Sequence, residues 1–225
     1  MTIPIKYRTS PEGIISITSE DFITGVGYQT LYLCAGDSNE SYINFLSTKQ
    51  LFAYADPTGI AAGANLYIDE TYSTSSTTYA DTLDKDFDIE IQNPFNLRGV
   101  VFANVAFSND EDSTNFVKFK VKVIVRHFDG TTEANLLTMT TTEQTNSNGI
   151  NDYYFCLRGE IVEKKFEKGD KLRVTVIIQT ASNVGSAVNG TVYLGLDPQN
   201  RVNAALFGNY DRTDSIIYIP LKVDL

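Results

Sequence analysis

The stretch Phe116–Phe128, FVKFKVKVIVRHF, decides the fold class of this chain. Apolar and basic side chains alternate along it. The apolar positions are Val117, Phe119, Val121, Val123 and Val125, and the basic positions are Lys118, Lys120, Lys122 and Arg126. A period of two is typical of a strand with one buried and one exposed face. Antiparallel sheets commonly have this division, so the stretch predicts an antiparallel sheet packed on a core.

Strand signals recur at even spacing on both sides of this stretch. Asp129-Gly130 predicts a tight hairpin turn directly after it. No helical pattern of about 10–15 residues separates the strands, which argues against parallel βαβ units. We therefore predict an all-β fold, an antiparallel β-sandwich that is jelly-roll-like and has about ten strands. Thr71–Thr82, rich in Ser and Thr, is predicted to be a long exposed loop.

The first residues are predicted to stand apart from this domain. Pro4 and Pro11 favour an extended arm, and Ser19–Gly25 reads as one short helical turn. We assign residues 1–24 to the arm and helical turn and residues 25–225 to a single domain, an ordinary length for one all-β domain. The arm lacks a core of its own, and Ile3, Ile5 and Tyr7 are its candidates for binding a neighbour.

Composition excludes some classes of function. The formal net charge of −10 disfavours non-specific nucleic-acid binding, which depends on cationic contacts to phosphate. No apolar run is long enough to span a bilayer, and the first residues lack a signal-peptide pattern, so we expect synthesis in a cytoplasm and no membrane partner. Cys34 and Cys156 lie in apolar strand-like runs, and we expect both to be buried free thiols, with a disulfide between them as the alternative.

His127 is the single histidine of the chain and would be needed by any Ser-His-Asp or Cys-His centre. It stands at a strand end in phase with the buried valines, and the chain has no GxSxG motif. A structural histidine is the favoured interpretation. We predict no catalytic residues, no cofactor and no enzymatic activity.

Two acidic stretches raise the question of a metal site. Asp84–Asp88 begins like an EF-hand loop but lacks the Gly and the Glu that such a loop needs, and it alternates like a strand. Asn109–Asp112 is predicted to be a solvated loop tip, with calcium binding as the alternative. No metal ligands are assigned.

The basic stripe, which we define as Lys118, Lys120, Lys122 and Arg126, is the one basic feature of an acidic chain. It is expected to pair with the Asp86, Asp88 and Glu90 side chains of a neighbouring strand or to face a partner subunit. A plainly solvated face is the third reading. The four residues are interface candidates.

Several tyrosines are candidates for glycan contact, because sugars stack on aromatic rings and hydrogen-bond to short polar side chains. These candidates are Tyr72, Tyr79, Tyr153, Tyr154 and Tyr210, the last in the loop Asn203–Arg212.

The texture of the chain resembles that of structural proteins of tailed viruses and phages. The residues that carry it are the Pro-containing arm, the segment DFITGVGYQTLYL from Asp21 and the segment FEKGDKLRVTVIIQT from Phe166. Capsid decoration, minor capsid and fibre-base proteins of that group are often β-sandwiches. The resemblance implies a non-enzymatic subunit in the virion that binds a capsid or tail shell as a symmetric homo-oligomer, such as a trimer.

Two other functions remain open from the sequence. One is a carbohydrate-binding jelly-roll module that recognises a surface glycan. The other is a hydrolase on a β-sandwich scaffold, which would have to use His127.

Overall fold

The structure is a computed structural model, and it describes residues 26–38, 41–48, 67–111, 116–146, 149–196 and 215–222. Within these residues it contains strands and no helix, which confirms the all-β prediction. Twelve strands are present where about ten were expected: β1 Val26–Ser38, β2 Ser41–Ser47, β3 Tyr67–Thr74, β4 Ala80–Glu90, β5 Phe95–Glu111, β6 Val117–Phe128, β7 Glu133–Thr140, β8 Gln144–Thr145, β9 Gly149–Phe166, β10 Lys171–Ser182, β11 Val188–Gly195 and β12 Ile216–Lys222. The arm and helical turn assigned to residues 1–24 lie outside the described residues, so the division into 1–24 and 25–225 stays a prediction.

The strands form one sheet in the order β3-β11-β5-β12-β1-β2-β4-β10-β6-β7. The long strand β5 pairs with β11 and β12 along one edge and with β9 along the other, and β8 pairs with β6. All pairs are antiparallel except one parallel bridge between β2 and β4, at Phe45 and Asp88. The sheet is therefore mixed, whereas a wholly antiparallel sheet was expected.

The alternation in β6 produces the buried face that it predicted. Its five apolar positions from Val117 to Val125 are fully buried. The neighbouring strand β10 is in register with it, so that Val174 lies opposite Val125 and Val176 lies opposite Val123. Both strands direct these side chains to the same side of the sheet, where burial of apolar area stabilises the fold.

The sheet bends so that its two halves share one core. Phe107 on β5 and Phe119 on β6 contact each other with ring centroids 4.8 Å apart, and the ring of Tyr153 on β9 lies 4.7 Å from that of Phe119. At Gly159 of β9, a Cβ atom would lie 2.6 Å from Cδ1 of Leu137 on β7. A larger residue at this position would therefore require the Leu137 side chain to move.

Two loop predictions are wrong. Thr71–Thr82 is strand for most of its length, since β3 continues to Thr74 and β4 begins at Ala80. Asn109 and Glu111, expected at a solvated loop tip, lie at the end of β5 and are 0% and 1% exposed. Most side chains of Thr71–Thr82 are exposed as expected, but the backbone at both ends of the stretch pairs into strands. At Asn109 and Glu111 the polar composition was misleading, because both side chains are buried. Asp112 lies outside the described residues.

The two cysteines differ in environment. Cys34 is buried and Cys156 is exposed, and both are free thiols. The expectation of burial is wrong for Cys156 because it occupies the outward phase of β9, opposite Asn104 of β5. No helix in the described part of the chain is long and apolar enough to cross a membrane.

Candidate functional site

The outward side of β4, β10, β6 and β7 carries a network of ion pairs, which we call the ionic face: Asp86, Asp88, Arg126, Glu133, Lys171 and Arg173. Its centre is Arg173 on β10. The Nε and Nη2 atoms of Arg173 donate to the two carboxylate oxygens of Asp88 over 2.7 and 2.8 Å, and Nη1 donates to Glu133 over 3.0 Å. Register explains the contact, because Arg173 lies directly opposite Asp88 on one side and Arg126 on the other.

These contacts perturb the ionisation of Asp88. Burial works to raise the pKa of Asp88, but the hydrogen bonds and charge of Arg173, helped by Lys171, outweigh it and hold that pKa below its ordinary value. The guanidinium of Arg173 also lies 5.2 Å from the centre of the Phe128 ring. The acidic and basic groups of the ionic face thus pair with one another, although the buried Nε atom of Arg126 has no hydrogen-bond partner among the described residues.

The basic stripe is drawn into contacts within the chain. Nη1 of Arg126 lies 3.1 Å from Glu133 and 3.8 Å from Asp86, across the intervening strand β10. This is the pairing with the acidic strand that the sequence allowed. Lys118 lies 3.3 Å from Glu143, and Lys120 lies over the Tyr79 ring, 4.4 Å from its centre.

Lys122 has no ion pair among the described residues. A partner subunit for the basic stripe stays a prediction, as does one for Ile3, Ile5 and Tyr7, which lie outside the described residues.

His127 pairs with Asp170 at the turn between β9 and β10. Its Nε2 atom lies 2.6 Å from Oδ2 of Asp170, and its ring contacts Phe166 edge-on at 4.8 Å. The same carboxylate oxygen accepts the backbone N–H of Glu167 over 2.8 Å. The hydrogen bond from His127, followed by that from Glu167, lowers the pKa of Asp170.

A buried base next to a carboxylate is two thirds of a catalytic triad. Among the described residues, however, no hydroxyl or thiol side chain hydrogen-bonds to His127. No cluster of His, Cys, Asp or Glu in the described ranges could hold a metal ion. The His127–Asp170 pair stabilises the turn between β9 and β10.

A polar cluster that sequence reasoning missed lies buried where β5 and β9 meet. The Tyr72 hydroxyl donates to Oδ1 of Asn109 over 3.1 Å, and the Tyr153 hydroxyl donates to Oδ1 of Asn146 over 2.8 Å. Burial, followed by the charge of Glu111, raises the pKa of Tyr153. Hydrophobic periodicity carries no signal for such a cluster, because its members come from four separated segments.

The structure disperses the predicted glycan-contact residues. Tyr72 is buried, and Tyr153 packs in the core against Phe107 and Phe119. Tyr79 is held by Glu143, to which its hydroxyl donates over 2.7 Å; burial, and then this hydrogen bond, raises the pKa of Tyr79. Tyr154 is exposed on β9, and Tyr210 lies outside the described residues. The four of these residues that the structure describes do not form a common sugar-stacking surface.

A different aromatic surface does form, on the outward side of β1, β12, β5 and β9. We call it the aromatic face: Tyr28, Tyr32, Phe102, Tyr154 and Tyr218. The register brings these residues together, since Tyr218 lies opposite both Thr30 and Phe102, and Phe102 lies opposite Arg158. The rings of Tyr28 and Phe102 are 6.0 Å apart. The sheet thus has one ionic and one aromatic outer surface.

Comparison with solved structures identifies the fold. The chain is similar to a CocE/NonD family hydrolase from Staphylococcus aureus, with 12% identity, a TM-score of 0.50, and coverage of 88% of this chain and 37% of the hydrolase. An aminopeptidase from a marine sediment Thaumarchaeota archaeon matches with 11% identity, a TM-score of 0.47, and coverage of 88% and 37%. The chain thus spans little more than a third of these proteins. The sequence matches no family model and no curated protein.

A viral particle also matches. The T13 particle of infectious bursal disease virus aligns with 11% identity and a TM-score of 0.30, over 83% of this chain and 43% of that one. A likeness at this score supports no conclusion, so the virion location stays a prediction.

The likeness to the staphylococcal hydrolase corrects the functional prediction. A non-enzymatic virion subunit that binds a capsid or tail shell was expected from the resemblance of the sequence. The solved fold that the chain shares instead belongs to a hydrolase. The texture of a β-rich sequence did not distinguish the two classes, because the same alternation of apolar and polar residues builds the sheets of both.

Proposed function

We propose that this chain is the β-strand domain of a hydrolase, and that the nucleophile of that enzyme lies outside the described strands. The observation that supports the proposal is the shared fold, which covers 88% of this chain but 37% of the staphylococcal hydrolase. A fold that occupies so small a share of an enzyme acts there together with the remainder of the protein.

The architecture is consistent with a supporting domain. We interpret the bent sheet as two packed layers, a jelly-roll-like β-sandwich, because the inward rings of β5, β6 and β9 meet in one core. A layered sheet of this kind is a rigid scaffold for loops and neighbouring domains.

The chemistry of the described residues also fits a domain that does not itself carry the nucleophile. Ester or amide hydrolysis by covalent catalysis needs a nucleophile within hydrogen-bonding reach of a base. Among the described residues no hydroxyl or thiol side chain hydrogen-bonds to His127, whose ring is held by Asp170 and Phe166, so these residues do not supply the nucleophile.

The test uses the native protein complex that contains this chain. The complex is purified from its natural source by capturing the chain. We expect it to hydrolyse p-nitrophenyl esters or aminoacyl p-nitroanilides and to react with a fluorophosphonate probe for nucleophilic serine. His127→Gln in this chain should change the rate less than about twofold, since the residue is not in the catalytic machinery. An assembly that contains this chain but shows neither hydrolysis nor labelling would overturn the proposal.

A further inference from the structure

The outward side of β4, β10 and β6 carries charges of opposite sign on its two outer strands. The outward positions of β4 are acidic, and we call them the acidic column: Asp81, Asp84, Asp86, Asp88 and Glu90. The basic stripe lies on β6, and β10 separates it from the acidic column. Register places the two level with each other, since Asp84 and Lys122 both lie opposite Ile177. The carboxylates and the bases thus run side by side, about 10 Å apart.

Part of this surface has charges that stay unpaired within the chain. Where it overlaps the ionic face, acids and bases bind one another. Farther along the strands, neither Asp84 nor Lys122 takes part in an ion pair within the described residues. Burial raises the pKa of Asp84, followed by the charges of Asp86 and Asp81, and the attraction of Arg126 and Lys122 is weaker. A base supplied by another molecule would relieve the repulsion within the acidic column.

Apolar and small side chains occupy the strip between the columns. Ile177 on β10 and Ile124 on β6 lie on the outward side, yet they are only 5% and 6% exposed. Thr175, the next outward residue of β10 toward Arg173, is fully buried. The surface therefore has an apolar centre bordered by charged side chains, an arrangement that is common in protein interfaces.

The two columns make this surface complementary to itself. In a two-fold interface, residue i of one copy contacts residue j of the other, and j contacts i. A two-fold axis along β10 exchanges the columns, so that Asp84 of one copy lies over Lys122 of the other and Asp81 lies over Lys120. An axis across the strands would place each column over itself and bring like charges together. The register therefore favours the axis along β10, in which the two sheets pack with aligned strands.

The rest of the acidic column fits the same axis. Asp88 comes over Arg126, because both lie opposite Arg173. Asp86 and Glu90 gain no base from the second copy, but Asp86 is bound by Arg173 within its own chain. The contact is therefore centred on Ile177, between Asp84 and Lys122.

The surface as a whole is close to neutral. Its described carboxylates are the five of the acidic column with Glu133 and Glu143, and its bases are the four of the basic stripe with Lys171 and Arg173. Seven carboxylates and six bases leave a net charge of −1, against −10 for the chain. Two copies can therefore meet here without the repulsion that the whole chain would suggest.

The size of the surface is suitable for a dimer. β4, β10 and β6 have 11, 12 and 12 residues, and β7 and β8 border β6 along most of its length. Four columns about 36 Å long cover roughly 700 Å², close to the roughly 800 Å² per partner of a stable complex. We propose that this surface binds a second copy of the chain about a two-fold axis along β10, with Asp84 of each copy against Lys122 of the other. The proposal does not depend on the proposed hydrolase role.

The first measurement is sedimentation equilibrium of the purified chain in reducing buffer. At low salt and about 100 μM chain, we expect about twice the 25.0 kDa of one chain. Raising the salt from about 50 mM to about 500 mM should weaken the dimer by about tenfold or more, because the ion pairs are screened. A wild type with the mass of one chain at low salt would overturn the proposal.

Charge reversals separate specific pairing from the effect of net charge. Lys122→Glu should weaken the dimer by about tenfold or more, because it places like charges together at two equivalent contacts. Asp84→Lys should weaken it by a similar factor. This change moves the net charge from −10 to −8, so it would strengthen an association that depended on net charge alone. The double variant, with the two charges exchanged, should restore the dissociation constant to within about threefold of wild type.

The matched control is Glu160→Lys on the outward side of β9, which makes the same change of net charge away from the contact. It should leave the dissociation constant within about twofold of wild type. Circular dichroism establishes that each variant is folded. An Asp84→Lys variant that dimerises as well as wild type or better would overturn the proposal, as would a double variant as weak as the single ones. A monomer whose native complex hydrolyses esters would remove the dimer and leave the proposed function intact.

Discussion

At the scale of single residues, one carboxylate oxygen of Asp170 contacts both the ring of His127 and the backbone N–H of Glu167. The turn Glu167–Asp170 joins β9 to β10, yet β9 pairs with β5 in one half of the sheet and β10 pairs with β6 and β4 in the other. The chain therefore passes from one half to the other over a few residues. Asp170 holds this corner through the backbone N–H of Glu167 and the ring of His127.

The Asp170 clamp predicts a specific dependence on pH. The pKa of Asp170 is lowered in the folded protein, chiefly by its hydrogen bond with His127. Its contribution to the free energy of unfolding is therefore present above the ordinary aspartate pKa of about 3.9 and is lost as the pH falls through the lower folded value. Asp170→Asn should lower the melting temperature at pH 7, and the difference from wild type should shrink below about pH 4.

Thermal unfolding from pH 2.5 to pH 7 measures this difference. Other carboxylates of lowered pKa, such as Asp88, weaken both proteins equally in acid, so the difference isolates Asp170. Glu163→Gln, a change at an exposed carboxylate of β9, serves as the control and should follow wild type throughout. A constant difference at all pH values would mean that the ionised form of Asp170 is not what stabilises the corner.

At the scale of elements, the sequence predicted those strands whose burial follows a strict period of two. β6 and β10 have one apolar face each and were found from the pattern alone. The end of β5 was missed, because Asn109 and Glu111 are polar residues that nevertheless become buried in the fold. Tyr72 hydrogen-bonds to Asn109 in this way, and nothing local in either segment indicates it.

Arg173 predicts how strongly the ionic face stabilises the sheet. Its side chain and that of Asp88 are only 21% and 24% exposed, and two parallel hydrogen bonds join them. Lysine keeps the charge but cannot form both bonds, so Arg173→Lys should lower the free energy of unfolding by about 1–2 kcal/mol. The loss should be smaller in high salt, which screens the wild-type contacts.

The matched control is Lys165, which pairs with Glu167 at 2.7 Å. The Lys165 side chain is 66% exposed and that of Glu167 is 58% exposed. Lys165→Gln should change the free energy of unfolding by less than about 0.5 kcal/mol, because exposed ion pairs contribute little. Denaturant titrations at low and high salt measure both variants. Equal losses for Arg173→Lys and Lys165→Gln would show that burial and paired geometry do not distinguish the two sites.

At the scale of the whole molecule, strand order decides where the surfaces lie. Phe102, Tyr154 and Tyr218 are far apart in sequence and meet only because β5 pairs with both β9 and β12. Pairings between distant segments leave no mark on a single sequence, so the aromatic face could not be predicted, whereas the alternation that makes a strand could. The same pairing order brings the inward rings of both halves into one core.

Phe119 tests whether the two halves unfold as one unit. Its ring contacts Phe107 on β5 and Tyr153 on β9, so it joins β6 to the opposite half. Phe119→Ala should lower the free energy of unfolding by about 3–5 kcal/mol, because a buried aromatic ring is lost and a cavity remains. Phe116→Ala, three residues away in the chain and 44% exposed, should cost far less.

If the core is shared, tyrosine fluorescence and far-ultraviolet circular dichroism will report one coincident transition for both variants, at a lower denaturant concentration for Phe119→Ala. Two separate transitions in Phe119→Ala would show that each half holds its own core and that the aromatic contacts do not couple them.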